Sequence, residues 1–198
     1  MPNEREYRAF SQIVQRDLEE EEKSYIVEGY ASTFDPYVLF TNRDGVDIHE
    51  LVERDAFAET DTSDVVFRID HEGPVFARTS NGLITLEVDE HGLKTRIDLG
   101  KTEKARGIYE DIAAGMYPQM SFAFTVDGES WDRETHTRHI ERIGKLYDVS
   151  AVSFPANPGT EIGVSLRDRL NGEIEAELAE RLEAERQRLI LQLRLKHF

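Results

Sequence analysis

The feature that most constrains the fold is a succession of short, strand-like segments between residues 24 and 154, separated by turn signals. Residues 24–34 and 65–69 are rich in β-branched and aromatic side chains, which favour strands. Residues 84–88 and 93–99 alternate in polarity around a glycine turn, as a β-hairpin does. We count about seven or eight strands. Their spacing predicts a closed or nearly closed, mainly antiparallel sheet with one or two helices packed outside it.

The N-terminal half carries three further local predictions. Residues 6–16 are expected to form a strand that pairs as a hairpin with residues 24–34, and the acidic run between them is interpreted as a solvated turn. Residues 35–50 are polar and contain the turn signal Asp44-Gly45, so a loop is predicted there. A short helical turn is expected over residues 51–60.

The segment that follows the second hairpin predicts a helix and then three more strands. Residues 102–115 fit a helix that Thr102 caps and Gly115 ends. A strand then begins at Met120 and is expected to stop at a turn over residues 127–129. Two further strands are predicted on either side of Gly144, over residues 138–142 and 145–154, before two prolines close the series.

The composition changes near Leu166, where a segment rich in Glu, Ala, Leu, Arg and Gln begins. Apolar residues at Ile174, Leu178 and Leu182 recur every fourth position, which indicates a long amphipathic helix. This stripe does not keep a heptad, so the helix is expected to pack on its own domain or on a partner subunit. We therefore predict a β-barrel domain over residues 1–165 and a C-terminal helical appendage over residues 166–198.

Charge and composition exclude several classes of function. The chain has 198 residues, a net charge of −16 and no cysteine, so disulfides, thiolate catalysis and cysteine zinc sites are excluded. The negative charge argues against nucleic acid or an anionic membrane as a partner and is more compatible with a basic segment. No apolar run is long enough for a membrane helix and no signal peptide is visible, which predicts a soluble, unsecreted protein.

No cofactor is expected either. His136 and His139 are three residues apart in a predicted strand–turn–strand region, where such positions point to opposite faces. The chain has neither a helical HExxH zinc motif nor a glycine-rich phosphate loop.

Three polar residues remain as candidates for chemistry. Ser121 lies where a predicted helix gives way to a strand, His71 follows a buried-strand candidate, and Asp148 interrupts an apolar strand. A serine and histidine with a third group that orients the imidazole is the recurring arrangement for acyl transfer. Each residue also has a structural interpretation, as a small residue, a structural histidine and an outward-facing carboxylate.

Four pieces of the sequence resemble, in order, the prohead proteases of tailed bacteriophages, which are serine proteases of capsid maturation. The resemblance covers about residues 24–165, and its last two pieces are the most specific. The pieces are Gly29-Tyr30-Ala31-Ser32 with a later Asp55-Ala56-Phe57; Asp70-His71-Glu72; Met120-Ser121-Phe122-Ala123-Phe124; and Leu146-Tyr147-Asp148-Val149-Ser150-Ala151-Val152 followed by Pro155-Ala156-Asn157-Pro158.

The resemblance implies a fold similar to the herpesvirus assembly proteases, a β-barrel surrounded by helices. It implies His71 as the general base and Ser121 as the nucleophile. Asp148 is the expected third member, and His139 is the alternative because the herpesvirus relatives use a second histidine. The sequence departs from the family where Ala123 replaces a frequent glycine and Asp148 a common glutamate.

The function that this resemblance implies is that of a serine endopeptidase. It would cleave the scaffold or delta segment of the major capsid protein precursor, and itself, inside the assembling prohead in the host cytoplasm. Related assembly proteases are often active as dimers. Backbone amides near Ser121 or the Arg142 side chain are the expected oxyanion donors. The alternatives are an inactive protease-like scaffold subunit that acts through its C-terminal helix, and a structural barrel of the virion.

Overall fold

The structure, a computed structural model, describes residues 4–12, 14–15, 24–153 and 164–195. The predicted acidic turn and the closing prolines lie outside these residues. The described part contains eleven strands, two α-helices and a short 3-10 helix. These are β1 (Glu6–Gln12), β2 (Val14–Gln15), β3 (Ile26–Thr33), β4 (Tyr37–Thr41), β5 (Asp47–Val52), β6 (Val66–Ile69), β7 (Glu72–Arg78), the 3-10 helix (Thr79–Asn81), β8 (Ile84–Val88), β9 (Gly92–Asp98), α1 (Glu103–Ala113), β10 (Gln119–Asp132), β11 (Thr137–Val152) and α2 (Val164–Leu195).

The strands form two sheets, which confirms a mixed α and β fold built mostly from strands. The larger sheet has the order β1-β10-β11-β5-β4, with β6 pairing to both β11 and β7. The smaller sheet has the order β2-β3-β9-β8. One hydrophobic core joins them, with Val27 and Ile97 from the smaller sheet and Phe67, Phe122 and Leu146 from the larger. The pairings of the described strands do not close into a barrel, so the barrel stays a prediction.

The long strands β10 and β11 form the centre of the larger sheet. The predicted turn over residues 127–129 and the predicted break at Gly144 are wrong, because both strands continue through these positions with register shifts. Gly144 leaves room for the Asp127 carboxylate, since a Cβ at Gly144 would lie 2.5 Å from the Asp127 Oδ2 atom. The local turn signals therefore mark irregularities inside a ladder rather than strand ends.

The predicted loop over residues 35–50 and the helical turn after it are also wrong. Strands β4 and β5 form an antiparallel hairpin there, with Gly45 in the turn at a φ of 79°. The strand pattern is hard to recognise because the buried positions of β5 include a glutamate, Glu50, between Ile48 and Val52. Residues 54–59 form turns without an α-helix.

The N-terminal strand pairs differently from the predicted hairpin. Strand β1 lies antiparallel beside β10, with Ala9 opposite Ser121. Only β2 makes the expected pairing with β3. The strand nearest the N-terminus is thereby next to the strand that carries the candidate nucleophile.

The second hairpin and the internal helix are confirmed. Strands β8 and β9 pair antiparallel on either side of the turn at residues 89–91. The Thr102 side chain accepts a hydrogen bond from the Ala105 amide at 3.1 Å and so caps α1. Gly115 follows the helix with a φ of 79°, a conformation that favours glycine.

Helix α2 has 32 residues and a length of roughly 48 Å, at about 1.5 Å per residue. Its first three turns pack on the body, because Leu166, Leu170 and Ile174 are buried against a cluster from the β4–β5 hairpin. Further along, Leu178 and Leu182 are 50% and 67% exposed. The division into domains at residue 165 stays a prediction. None of the described helices is long and apolar enough to cross a membrane.

Candidate active site

Ser121 is fixed on the central strand β10. Its neighbours Met120 and Phe122 belong to the hydrophobic core, so Ser121 points to the opposite face of the sheet, since side chains alternate along a strand. Across the ladder it pairs with Ser150 of β11. Ser121 has no exposed surface.

A β-bulge brings Asp148 to the same face. Ala123 and Phe124 of β10 pair with Asp148 and Leu146 of β11, which leaves Tyr147 as an extra residue in β11. Leu146 points into the core, and a regular strand would turn Asp148 into the core as well. Because of the extra residue, the Asp148 side chain points to the opposite face, which is the face of Ser121. Bulges next to functional sites often re-aim a side chain in this way.

His71 comes from a tight turn between β6 and β7. Ile69 pairs with Glu72, so Asp70 and His71 form a two-residue turn. Their φ angles are 48° and 58°, the positive values that a type I′ hairpin turn requires. Non-glycine residues pay about 1–3 kcal/mol for this conformation, and such strain concentrates at functional sites. Asp70 anchors the turn by accepting a 2.8 Å hydrogen bond from the Ser153 amide.

Three of the predicted site residues meet in one hydrogen-bonded chain. The His71 Nε2 atom lies 2.6 Å from the Ser121 Oγ atom, and the His71 Nδ1 atom lies 2.6 Å from the Asp148 Oδ1 atom. Asp148 is 2% exposed, so its carboxylate is removed from water and needs these partners. We call Ser121, His71, Asp148 and Ser150, whose hydroxyl also reaches Asp148, the serine cluster.

Strand β1 covers one side of the imidazole. The Tyr7 and His71 rings meet edge to face, with centroids 4.7 Å apart. Tyr7 and Asp148 lie on opposite sides of Ala123 in the ladder. The His71 ring contacts both Tyr7 and Asp148, so it lies over Ala123, whose small side chain leaves space for the ring.

The Ser121 hydroxyl has two acceptors for its single proton. Besides the His71 Nε2 atom, the Arg8 carbonyl oxygen lies 2.8 Å from the Ser121 Oγ atom. A proton donated to Arg8 requires His71 to donate from both ring nitrogens, which is the imidazolium form. A proton donated to Nε2 leaves His71 neutral with its Nδ1–H on Asp148, and this is the arrangement of a general base.

His139 and Arg142 lie outside the serine cluster. The His139 Nδ1 atom lies 2.7 Å from the Glu53 Oε1 atom, and His139 precedes Asp148 by nine residues along β11, roughly 30 Å of extended strand. Arg142 donates to the Asp127 carbonyl oxygen at 3.0 Å. It precedes Ser150 by eight residues, so its guanidinium is too distant to serve as an oxyanion donor for Ser121.

Sequence reasoning missed Ser150, Tyr7 and Arg68. Ser150 follows Asp148 by two positions, and the strand period of two was a signal that both share a face. Arg68 pairs with Ser150 from β6, and its Nη1 atom donates to the His71 carbonyl oxygen at 3.3 Å. Its Nε atom is buried without a partner in the part of the chain that is described. Nothing local in the sequence indicates Tyr7 or Arg68.

A second buried polar cluster lies on the same sheet. Arg8 donates to the Glu50 Oε2 atom at 2.9 Å, and Arg138 donates to the same oxygen at 2.7 Å. Glu6 bonds both guanidinium groups, and the Tyr37 hydroxyl donates to Glu50. We call Arg8, Glu50, Arg138, Glu6 and Tyr37 the arginine cluster.

The charges around Glu50 keep its carboxyl group ionised. Burial by itself would raise the pKa of this carboxyl, but the attraction of Arg8 and Arg138 and the hydrogen bonds from Arg8 and Tyr37 outweigh burial and lower the pKa to about 2. Burial together with the Glu50 charge raises the pKa of Tyr37 well above its usual value. Glu50 is therefore ionised and Tyr37 neutral at ordinary pH.

A histidine between a serine hydroxyl and a buried carboxylate is the arrangement of the serine hydrolases. Within the described residues, no three His, Asp or Glu side chains are grouped to hold a metal ion. The family model for the caudovirus prohead serine proteases matches residues 11–173, and the chain belongs to this family. This confirms the family that the sequence resembles. Comparison with curated proteins and with solved structures gives no significant match.

Proposed function

We propose that the chain is an active serine endopeptidase in which Ser121 is the nucleophile, His71 the general base and Asp148 the carboxylate that orients the imidazole. The observation that carries the proposal is the hydrogen-bonded chain from Ser121 through His71 to Asp148, with both links at 2.6 Å. These lengths are within the range in which a base can take the proton of its nucleophile. Membership of a serine protease family supports the same roles.

The mechanism follows from the order of the three groups. As the Ser121 Oγ atom attacks the carbonyl carbon of a peptide bond, its proton passes to the His71 Nε2 atom. The Asp148 carboxylate stabilises the resulting imidazolium through Nδ1–H. When the tetrahedral intermediate collapses, His71 gives this proton to the departing amine, and an acyl-enzyme remains on Ser121. Water, deprotonated by His71, then hydrolyses the ester and restores the serine.

The proposed substrates are the scaffold or delta segment of the major capsid protein precursor and the protease itself. The family supports a role with capsid precursor proteins inside the assembling prohead, in the host cytoplasm. A net charge of −16 favours basic substrate segments over acidic ones and disfavours nucleic acid as a partner. Self-association as a dimer or larger oligomer is part of this proposal, because autoprocessing between copies brings two chains together.

The test is coexpression of each variant with the capsid precursor. Ser121→Ala and His71→Ala are each expected to leave the precursor uncleaved, because loss of either residue lowers the rate by roughly 10⁴-fold or more. Ser130→Ala is the matched control. This serine lies on the same strand but is hydrogen-bonded to the exposed Glu141, and its loss is expected to leave cleavage intact. Full processing by Ser121→Ala or His71→Ala would contradict the proposal.

The alternative of an inactive scaffold subunit that acts through α2 is not favoured, because the family is one of serine proteases. It predicts that Ser121 resists labelling by a serine-directed phosphonate, whereas the protease proposal predicts labelling that His71→Ala abolishes. The alternative of a plain structural barrel expected the three side chains far apart, and the 2.6 Å distances argue against it.

A further inference from the structure

Ser150 is a buried polar residue on the same face of the sheet as Ser121, and the proposed mechanism assigns it no role. It lies in β11 between Val149 and Ala151, which both belong to the hydrophobic core, and it has no exposed surface. A buried hydroxyl without a partner is destabilising, so its hydrogen bond decides whether serine is tolerated there. The Ser150 Oγ atom donates to the Asp148 Oδ1 atom at 2.8 Å.

The same carboxylate oxygen serves both neighbours. The His71 Nδ1 atom lies 2.6 Å from the Asp148 Oδ1 atom, and an ionised carboxylate only accepts hydrogen bonds. Ser150 must therefore be the donor in its bond to Asp148. Two donors on one oxygen hold the carboxylate against rotation about its last side-chain bond. Because Ser150 and Asp148 are two residues apart on one strand, the backbone fixes the geometry of this pair.

We propose that Ser150 is a positioning residue that orients the Asp148 carboxylate toward His71 and tempers its attraction for the imidazolium proton. The proposal rests on the proposed function, in which His71 activates Ser121. Ser150 touches no reacting atom in this scheme and acts through Asp148. Its contribution is to keep the His71 imidazole correctly oriented toward Ser121.

The neighbouring charged and titratable groups are separate from this bond. Tyr7 of β1 faces the His71 ring, Arg68 of β6 bonds the His71 carbonyl oxygen, and Asp70 of the turn bonds Ser153. Glu72 is the first residue of β7, and its side chain is exposed. The Ser150 hydroxyl is hydrogen-bonded to Asp148 and to none of these four, although Arg68 is its neighbour on β6, so its effect on pH dependence is expected to act through Asp148.

The test measures how fast a fluorophosphonate labels Ser121 as a function of pH. This reaction needs activation by His71 and no knowledge of the cleavage site. Ser150→Ala is expected to lower the second-order rate constant by roughly 10- to 100-fold, the usual worth of a hydrogen bond to a charged group. The acidic limb is expected to move to higher pH, by up to about one unit, because a carboxylate with one donor fewer holds the imidazolium proton more tightly.

Three variants control for a merely structural effect. Ser150→Thr keeps a hydroxyl donor and is expected to restore most of the rate. Ser150→Cys fills the same space with a weak donor and is expected to behave like Ser150→Ala, so the test does not depend on the alanine variant folding. Ser130→Ala removes a serine–glutamate bond of 2.6 Å from the exposed end of the same ladder and is expected to change nothing.

A spectroscopic measurement separates this inference from the proposed function. In a Ser121→Ala background, the proton NMR signal of His71 Nδ1–H is expected to shift on Ser150→Ala and to stay unchanged on Ser130→Ala. Unchanged labelling rate, pH profile and NMR signal in the Ser150 variants would overturn the inference while Ser121→Ala remains unlabelled. A Ser121→Ala variant that still cleaves the precursor would instead overturn the proposed function.

Discussion

The serine cluster and the arginine cluster are both buried in the seven-stranded sheet, and they differ in whether a proton can move within them. Strand β1 contributes to each, since the Arg8 carbonyl oxygen contacts Ser121 and the Arg8 side chain contacts Glu50. Strand β11 contributes Asp148 to one and Arg138 to the other. The two sites therefore share strands, burial and hydrogen bonding.

The difference lies in the partner of the buried carboxylate. Glu50 faces two guanidinium groups, which keep their charge at any ordinary pH, so the arginine cluster holds one fixed charge state. Asp148 faces an imidazole, the side chain whose ordinary titration range lies near neutral pH. Burial and ion pairing alone therefore do not indicate a catalytic site. A titratable imidazole between a serine hydroxyl and a buried carboxylate does.

The largest expected effect comes from Asp148→Asn. Asparagine keeps the shape but does not favour the Nδ1–H tautomer of His71, so phosphonate labelling and precursor cleavage are expected to fall by roughly 10⁴-fold. The free energy of unfolding is expected to change by less than about 1 kcal/mol, because the substitution removes a charge without leaving a cavity. Urea unfolding of the same preparation checks this. An active Asp148→Asn variant would remove the distinction between the two clusters.

Glu50→Ala tests the other side of the comparison. Removing this carboxylate leaves Arg8 and Arg138 buried without their shared partner, and the free energy of unfolding is expected to fall by about 3–5 kcal/mol. The labelling rate per folded molecule is expected to stay near that of the unchanged protein. Asp64→Ala is the control, because the exposed pair of Asp64 and Arg78 is worth at most about 1 kcal/mol. Equal losses in both variants would show that burial of the arginine cluster carries no special weight.

The pH dependence of stability gives a smaller and independent measure. The pKa of Glu50 is lowered from 4.5 to about 2 on folding, so its contribution is fully present above pH 4.5 and is lost as the pH falls through about 2. The whole contribution is about 3 kcal/mol. Glu50→Gln is expected to flatten this part of the stability curve in urea titrations between pH 5 and 2. A curve of unchanged slope would assign the acid dependence to other carboxylates.

Local sequence patterns correctly predicted the elements that are specified by residues close to one another in the sequence. The β8–β9 hairpin follows from alternation around a glycine turn, and α1 follows from the Thr102 cap and the Gly115 stop. The apolar spacing of the C-terminal segment predicted α2. A local pattern also made Ser121, His71 and Asp148 candidates for chemistry, because a polar residue in or beside an apolar strand needs a partner.

The error at β5 has a different origin, because distant residues supply the partners of its buried carboxylate. Polar residues and the Asp44-Gly45 turn signal made residues 35–50 look like a loop. The burial of Glu50 within this segment depends on Arg8 and Arg138, which are 42 and 88 residues away. Local propensity carries no information about these pairings, because both guanidinium groups reach Glu50 only once β1 and β11 have joined the sheet.

The sequence by itself determined that this chain is rich in strands, which three residues were candidates for chemistry, and which family it resembles. Only the tertiary structure decided that β1 lies beside Ser121, that the bulge at Tyr147 turns Asp148 to the His71 face, and that His139 lies apart. The physical reason is that a strand pattern has a period of two, so one inserted residue or one change of partner reverses the face of a side chain without leaving a signal in composition.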